Sequence, residues 1–404
     1  MNKNLLFLIL IAVFSCSKND HFKENEDTLT INPLEKCENG FAGEYPCKDY
    51  DLMAFVSLTE MNANEANDSW GWTDSTTNKE YAIMGLNNGT AFLDISDTEN
   101  VIYLGKLPTR TVNSSWRDIK VHNNFAYVVS EAANHGMQVF NLEKLRNVSN
   151  PPVEFQSDFD YTGFGSAHNI VINKSKNYVY PVGTSRGGTY KGGPIFINID
   201  NPTSPSEEGG FTNYSHDAQV VTYNGPDSEH KGKEILITSN ENEVVIVDIT
   251  DKSNPIQLSS ISYSNVGYTH QGWFTEDFKY FILGDELDER DKGFNTRSII
   301  FDFTDLDNPI HHFDFSGSSA AIDHNGYVKN NIYYQANYTA GVRMLDISNI
   351  ENKTITEVGF FDTYPENNNT HFNGTWNVYP YFPSGNIIVS DINRGFFVIR
   401  KSGT

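Results

Sequence analysis

The stretch Val245-Ile246-Val247-Asp248-Ile249-Thr250 recurs in variant form along most of the 404-residue chain. Its clearest copies are Ala91-Phe92-Leu93-Asp94-Ile95-Ser96, Ile195-Phe196-Ile197-Asn198-Ile199-Asp200, Ile299-Ile300-Phe301-Asp302-Phe303-Thr304 and Arg343-Met344-Leu345-Asp346-Ile347-Ser348. Each copy is an aliphatic run followed by turn-forming residues, the pattern of a buried strand that ends in a tight turn. Val139-Phe140-Asn141-Leu142 and Phe397-Val398-Ile399-Arg400 fill the two remaining places, so this strand occurs seven times.

Tryptophan and histidine recur with the same period. They are Trp70, Trp116, His168, His216, His270, His324 and Trp376, at intervals of 46 to 54 residues. A period of this length, with four short strands in each repeat and no helical periodicity, is typical of the blades of a β-propeller. Seven positions predict seven blades, with these side chains in a ring around the axis.

The two chain ends predict how the ring closes. The last repeat ends before a fourth strand, whereas Leu52 to Leu58 precedes the first repeat without a blade of its own. Pairing these segments would remove an exposed sheet edge. We therefore expect an all-β, seven-bladed β-propeller over residues 51–404, closed by an N-terminal strand.

The N-terminus indicates export. Lys3 and the apolar run from Leu5 to Phe14 lead into Ser15-Cys16, which predicts a lipoprotein signal peptide over residues 1–15 and a lipid on Cys16. An ordinary secretory signal is the alternative. The polar residues 16–36 lack periodicity and predict a flexible acidic linker. We expect a protein tethered by lipid in the bacterial cell envelope, at the outer membrane or the cell surface.

Cysteine content and charge agree with this location. Cys37 and Cys47 form a pair ten residues apart, which predicts a disulfide that pins residues 37–50 to the propeller. With 52 acidic and 29 basic side chains, the formal net charge is −23. Binding to nucleic acid is disfavoured because it requires clusters of Lys and Arg.

Several motifs together resemble a known family. They are Asn67-Asp68-Ser69-Trp70-Gly71-Trp72-Thr73-Asp74, Trp116-Arg117-Asp118-Ile119-Lys120, His216-Asp217-Ala218-Gln219, Tyr268-Thr269-His270-Gln271-Gly272-Trp273, Gly284-Asp285-Glu286-Leu287-Asp288 and Asp323-His324-Asn325. From about Cys37 to about Ile347 the chain resembles the choice-of-anchor B family, whose propellers carry LVIVD repeats. The resemblance implies an exported, surface-anchored propeller and brings no established reaction.

The four histidines are the candidate ligands of a metal ion. Neutral imidazole binds zinc, copper, iron or nickel, and carboxylates from the loops between the second and third strands would open on the same mouth. We therefore predict one transition-metal ion held by His168, His216, His270 and His324. Calcium in the acidic loop from Asp285 to Asp291 is a weaker prediction, because the loop lacks the helix–loop–helix pattern. Metal-free ligand contacts, or a purely structural ring, are the alternatives.

Three functions remain open at this stage. The first is a module that binds a ligand, a partner or a metal at this mouth, with a glycan or an envelope protein as the partner; its binding residues would be Trp70, Trp72, Trp116, Arg117, Trp273 and Trp376. The second is a metal-dependent extracytoplasmic enzyme, oxidative or of lyase or hydrolase type, assisted by Asp118, Asp285 or Glu286. The third is an adhesion module without a reactive site.

Overall fold

The computed structural model describes residues 32–404. The predicted signal peptide, Cys16 and most of the predicted linker lie outside the described residues. The described chain is all-β: seven antiparallel sheets form a ring, which confirms the seven-bladed β-propeller. Among residues 32–404, no helix has the length and apolar character needed to cross a membrane.

The strands follow the sequence repeats. Three strands precede the first repeat: β1 (Phe41–Ala42), β2 (Tyr45–Lys48) and β3 (Tyr50–Ser57). The first two repeats supply β4 (Ala66–Thr73), β5 (Glu80–Leu86), β6 (Gly89–Asp94), β7 (Ile102–Pro108), β8 (Arg117–His122), β9 (Phe125–Ser130), β10 (Met137–Asn141), β11 (Val153–Glu154) and β12 (Phe159–Tyr161). A short 3₁₀ helix, Leu142–Asn147, lies between β10 and β11.

The middle repeats are the most regular. They supply β13 (Asn169–Ile172), β14 (Tyr178–Val182), β15 (Ile195–Asn198), β16 (Ser206–Gly210), β17 (Asp217–Thr222), β18 (Glu234–Ser239), β19 (Val244–Asp248) and β20 (Ile256–Ile261). The fifth repeat contains β21 (Thr269–Phe274), β22 (Tyr280–Asp285), the short helix α1 (Asp288–Lys292), β23 (Arg297–Asp302) and β24 (Ile310–Ser316).

The last two repeats complete the ring. They contain β25 (Gly326–Lys329), β26 (Ile332–Ala336), β27 (Val342–Asp346), the 3₁₀ turn Ile350–Asn352, β28 (Thr356–Phe361), β29 (Thr375–Tyr379), β30 (Ile387–Asp391) and β31 (Gly395–Lys401). The innermost strands are β4, β8, β13, β17, β21, β25 and β29, which contact one another in that cyclic order, β29 returning to β4. They surround the axis and run along it.

The seventh blade is closed by the N-terminal strand, as the sequence predicts. β3 pairs antiparallel with β31, with Phe55 opposite Phe397 and Val56 opposite Phe396. The rings of Phe55 and Phe397 lie 4.8 Å apart between centroids. This pairing satisfies the backbone groups along the edge of β31, which would otherwise be open to association.

The predicted disulfide between Cys37 and Cys47 is present and is thereby confirmed. It closes the segment that contains β1 and β2, and β2 pairs with β28 at the outer edge of the sixth blade. The N-terminal segment therefore contributes to two blades, because β3 continues directly into the seventh. This arrangement covers an outer sheet edge in addition to closing the ring.

The Asp or Asn that ends six of the seven third strands has the structural role that its sequence context indicates. The carboxylate of Asp248 accepts a hydrogen bond from the backbone N–H of Thr250, and Asp302 does the same for Thr304. Such side-chain acceptors stabilise the turn after the strand. These aspartates lie on the outside of the blade turns, so they are part of the scaffold and not of a reactive site.

Candidate functional site

The strand register decides which residues share a position around the axis. When the blades are aligned by the pairing of their first two strands, the position of His216 is occupied in chain order by Asn67, Arg117, His168, His216, His270, His324 and Trp376. The assignment of Trp70 and Trp116 to this ring was wrong. Trp70 lies three residues too late, and Trp116 lies one residue too early. Matching residue types placed these two blades out of register by a few residues, whereas backbone pairing fixes the register.

The four histidines form an arc of contacting imidazole rings, which we call the histidine arc (His168, His216, His270 and His324). Neighbouring ring centroids are 4.2, 4.6 and 4.5 Å apart, in chain order. The arc ends at Trp376, whose indole lies 4.7 Å from His324. The structure thus brings all four predicted histidines together, on four consecutive blades.

Neighbouring groups orient three of the rings through Nδ1. The Nδ1 atom of His168 lies 2.7 Å from a carboxylate oxygen of Glu131, and that of His324 lies 2.6 Å from the backbone oxygen of Trp376. The Nδ1 atom of His216 is 3.0 Å from the hydroxyl of Tyr268. A contact at Nδ1 leaves Nε2 of the same ring available as a ligand atom.

Two nitrogen atoms of the arc are buried without a hydrogen bond. Within the described chain, Nε2 of His216 and Nδ1 of His270 have no partner. Buried polar atoms are nearly always paired, so each such atom calls for an explanation, and a bound ion or water is one of them. These atoms show that the arc is incomplete as a hydrogen-bonded structure.

Glu286 projects from the loop after β22 into the arc. Its carboxylate oxygens lie 3.8 Å from Nε2 of His270 and 3.7 Å from Nε2 of His324. The hydroxyl of Tyr338 donates a hydrogen bond of 2.8 Å to Glu286 and fixes its position. One ligand atom each from His216, His270 and Glu286 lie within 4.8 Å of one another, a spacing that fits a single ion.

Burial controls the charge of the arc. It lowers the pKa of His216 and His270 well below the ordinary value, and neighbouring histidines lower both further. Burial also lowers the pKa of His324, to about 3, and raises the pKa of Glu286 to about 7. Burial acts to lower the pKa of His168 as well, but its hydrogen bond to Glu131 and the negative charges of Glu131, Glu286 and Asp217 together outweigh this, and the net shift is upward. At neutral pH three of the imidazoles are neutral, the form that binds metal ions.

The two remaining carboxylates proposed as catalytic assistants serve the scaffold. Asp118 accepts hydrogen bonds from the backbone N–H groups of Ile119 and Ile170, both 2.7 Å. Asp285 is fully buried and accepts bonds from the backbone N–H groups of Gly267 and Tyr268. Neither carboxylate faces the histidine arc with a free oxygen, in contrast to Glu286.

The predicted binding residues are dispersed. Arg117 is buried, donates to the backbone oxygen of Leu86 and contacts His135. Trp116 is 45 % exposed at the surface, and Trp72 is buried against Tyr81. Only Trp376 belongs to the arc, while Trp70 and Trp273 lie together at another level of the axis.

A belt of polar side chains lies one residue beyond the arc. We call it the polar belt; its members are Asp68, Asp118, Asn169, Asp217, Gln271, Asn325 and Asn377. Several of them join one blade to the next: Asn377 bonds Asp68, and Asn325 bonds Asn377. Lys120, from the level above, reaches down to Asp118 at 2.5 Å and to Asp68 at 3.5 Å. This role of Lys120 was not predicted, although the spacing Asp118-Ile119-Lys120 places both side chains on one side of the strand.

The level three residues beyond the arc lines a cavity. Its members are Trp70, Lys120, Val171, Gln219, Trp273, Tyr327 and Tyr379, and all but Tyr379 line a space of about 470 Å³ on the axis. Since a strand rises about 3.3 Å per residue, this level lies about 10 Å from the arc. The propeller therefore has two chemically different regions on one axis, with the polar belt between them. We call the space of about 470 Å³ the axial cavity.

The acidic loop of the fifth blade, the weaker candidate for calcium, is folded and partly buried. It forms α1, with Asp288 and Glu289 buried and Nε of Arg297 bonded to Asp288 at 2.6 Å. The arginine contact satisfies part of the negative charge that calcium would otherwise have to neutralise. Elsewhere in the described chain, Asp227, His230 and Asp307 form a second cluster of potential ligand atoms, on the blade exterior.

Comparisons with known proteins support the fold and stop there. No family model matches the chain, and no curated protein matches it. Among solved structures, it is similar to the crystal structure of a protein from Lactobacillus plantarum determined by a structural-genomics consortium. The two share 12 % identity and superpose with a TM-score of 0.53, over 81 % of this chain and 89 % of the other. At that identity the similarity concerns the propeller architecture alone.

Proposed function

We propose that this protein is an exported, lipid-anchored propeller of the bacterial cell envelope, similar to the choice-of-anchor B family, that binds one transition-metal ion at the histidine arc. The disulfide between Cys37 and Cys47 supports an oxidising compartment. The predicted lipoprotein signal and Cys16 supply the tether. The propeller then presents the mouth of its axis outside the cytoplasm.

One observation carries the metal proposal. The ligand atoms of His216, His270 and Glu286 converge within 4.8 Å, and each of the two histidines has a buried nitrogen without a partner in the described chain. Leaving a polar atom buried and unpaired costs about 1–3 kcal/mol, and an ion bound at Nε2 of His216 would remove that cost for this atom.

The donor set indicates the class of ion. Two or three imidazoles and one carboxylate suit zinc, iron, copper, nickel or manganese, and do not suit calcium, which takes oxygen ligands. His216, His270 and Glu286 would hold the ion, with His324 beside them. Tyr338 positions the carboxylate through its hydrogen bond. A bound ion of this class supplies Lewis acidity at the mouth.

Metal content is the direct test. The protein is purified without chelator and without a histidine tag, and its metal-to-protein ratio is measured by mass spectrometry. We expect about one transition-metal ion per chain, lost in His216→Ala/His270→Ala. The matched control is His311→Ala/His312→Ala, which removes two histidines from the outer strand β24. Folding of each variant is checked by thermal unfolding.

Two outcomes contradict the proposal. The first is a folded wild-type protein that contains no ion after dialysis against zinc, iron, copper, nickel and manganese salts in turn. The second is equal metal content in both double variants. Glu286→Gln separates the carboxylate from the imidazoles: this variant is expected to retain weaker binding, since the histidines remain.

A further inference from the structure

We propose that the axial cavity is a second binding site, specific for a small organic ammonium compound with an apolar body. The cavity is lined by Trp70, Trp273, Tyr327, Tyr381 and Phe278 on its apolar walls, and by Asp217 at its polar end. Its volume of about 470 Å³ lies within the range of small-molecule sites. This proposal is independent of the metal site, which lies at another level of the axis.

A continuous aromatic wall provides the apolar surface. Tyr327 contacts Trp273 and Trp70 edge to face, with ring centroids 4.9 and 5.7 Å apart. Tyr381 extends the wall, 6.3 Å from Tyr327. Faces of Trp and Tyr attract cations through their π-electrons, most strongly where water is excluded. The wall therefore suits both an apolar body and a positive charge.

The protein's own Lys120 demonstrates this preference. Its ammonium lies 4.6 Å from the centroid of Trp70 and is bonded to Asp118. A cation is therefore already held here between an aromatic face and a carboxylate. A ligand ammonium would reproduce this arrangement two blades away, between Asp217 and the aromatic wall.

Asp217 is a carboxylate of the polar belt that no lysine or arginine contacts within the described chain. One oxygen accepts a hydrogen bond of 2.6 Å from the N–H of Ala218, and the other has no partner among residues 32–404. The corresponding acids in the first two blades, Asp68 and Asp118, both contact Lys120. Asp217 also lines the cavity, so its free oxygen is open to a ligand.

The mouth does not oppose this choice of charge. Lys174 and Glu276 both lie at the lining, one of each sign. The ammonium of Lys174 lies over Tyr381 at 5.1 Å, and Glu276 accepts bonds from the backbone N–H groups of Asn330 and Asn331. Because the charges of Lys174 and Glu276 offset each other at the mouth, the preference for a positively charged ligand depends on Asp217 at the other end of the cavity.

Three probes of one shape test the proposal. They are 2-phenylethylamine, the neutral 2-phenylethanol and the anionic 3-phenylpropionate, titrated into the wild-type protein by calorimetry and by quenching of tryptophan fluorescence. We expect the amine to bind at least about tenfold more tightly than the alcohol, a difference of about 1.4 kcal/mol. The anion is expected to bind most weakly.

The variant Asp217→Asn removes the charge and keeps the shape. It is expected to reduce the preference for the amine over the alcohol to less than about threefold, without changing the metal-to-protein ratio. Preference for the alcohol or the anion in the wild type, or binding of no probe with a dissociation constant below about 10 mM, overturns the proposal. If Asp217→Asn does not fold, the relative affinities of the three probes for the wild-type protein still test the proposal. Absence of metal from a wild-type protein that prefers the amine would contradict the metal proposal alone.

Discussion

Replacing Lys120 by Met tests whether the polar belt is held by charge. The ammonium lies 2.5 Å from Asp118, and at an effective dielectric constant of about 20 Coulomb's law gives an attraction of about 7 kcal/mol. Desolvation of both groups offsets part of it, and removing one partner of a buried pair costs about 3–5 kcal/mol. Protonating Asp118 at pH 7 limits the loss, since that costs about 4 kcal/mol from an ordinary pKa near 3.9. We therefore expect Lys120→Met to lower the free energy of unfolding by about 3–4 kcal/mol at pH 7.

Urea unfolding at pH 5 and pH 7, followed by circular dichroism, measures this loss. The loss should be smaller at pH 5, because the unpaired Asp118 then protonates at lower cost. Asp118→Asn/Lys120→Met should recover most of the stability, since no uncompensated charge remains. Lys329→Met is the matched control: this lysine bonds the backbone oxygens of Pro380 and Phe382, so its loss should not depend on pH in this range. A loss below about 1 kcal/mol, or a double variant no more stable than the single one, would refute the reasoning.

Three further changes probe the scaffold. Burial raises the pKa of Asp362 to about 7; the folded state then favours the protonated acid, and the stability gained below pH 4 is lost as the pH rises to 7. Asp362→Asn should accordingly stabilise the protein by up to about 4 kcal/mol at pH 8 and by nothing at pH 4, measured by urea unfolding. Gly71→Ala should destabilise the protein by about 1–3 kcal/mol, because a Cβ there would lie 2.2 Å from an aromatic ring of the seventh blade. Gly165→Ala, whose Cβ would have its nearest atom at 4.0 Å, is the control and should leave the melting temperature unchanged. Thermal unfolding of both variants measures the difference. Replacing Cys37 and Cys47 by Ser opens a ten-residue loop and should cost about 3 kcal/mol, and an unchanged melting temperature would contradict this.

The architecture could be predicted because its signals are periodic. Seven copies of one hydrophobic strand, such as Val244–Asp248, exceed what chance supplies, and the missing fourth strand of the last repeat required a donor. Leu52 to Leu58 was the only unassigned strand pattern ahead of the repeats, and β3 fills that place. The short helix α1 was not predicted, because its five residues are too few to show helical periodicity.

The site could be predicted only where residue type and register agree. Four histidines share one register position, so the arc followed from their spacing. Trp70 and Trp116 do not, since no property of a tryptophan marks its level along a strand. The unpaired oxygen of Asp217 and the contact of Lys120 with Asp68 were beyond sequence reasoning, because each depends on side chains of neighbouring blades that are about 50 residues distant in the chain.

The place of each side chain around the axis is given by the blade it belongs to and by its register level along the innermost strand. The backbone offers seven equivalent positions at each level. A one-sided site such as the histidine arc therefore forms where several consecutive blades carry the same type of side chain at that level and the remaining blades do not. Histidines on four consecutive blades form the arc on one side, and Arg117 and Trp376 bound it. Three residues further along, the same blades contribute Val171, Gln219, Trp273 and Tyr327, three of which are apolar or aromatic, so the axial cavity differs from the arc. A divalent ion and an ammonium ligand about 10 Å apart would repel each other by about 1–3 kcal/mol at effective dielectric constants between about 80 and 20. By thermodynamic reciprocity each of the two proposed ligands then weakens binding of the other to the same extent. The polar belt lies between the two proposed sites, so its charged side chains would set the strength of this coupling.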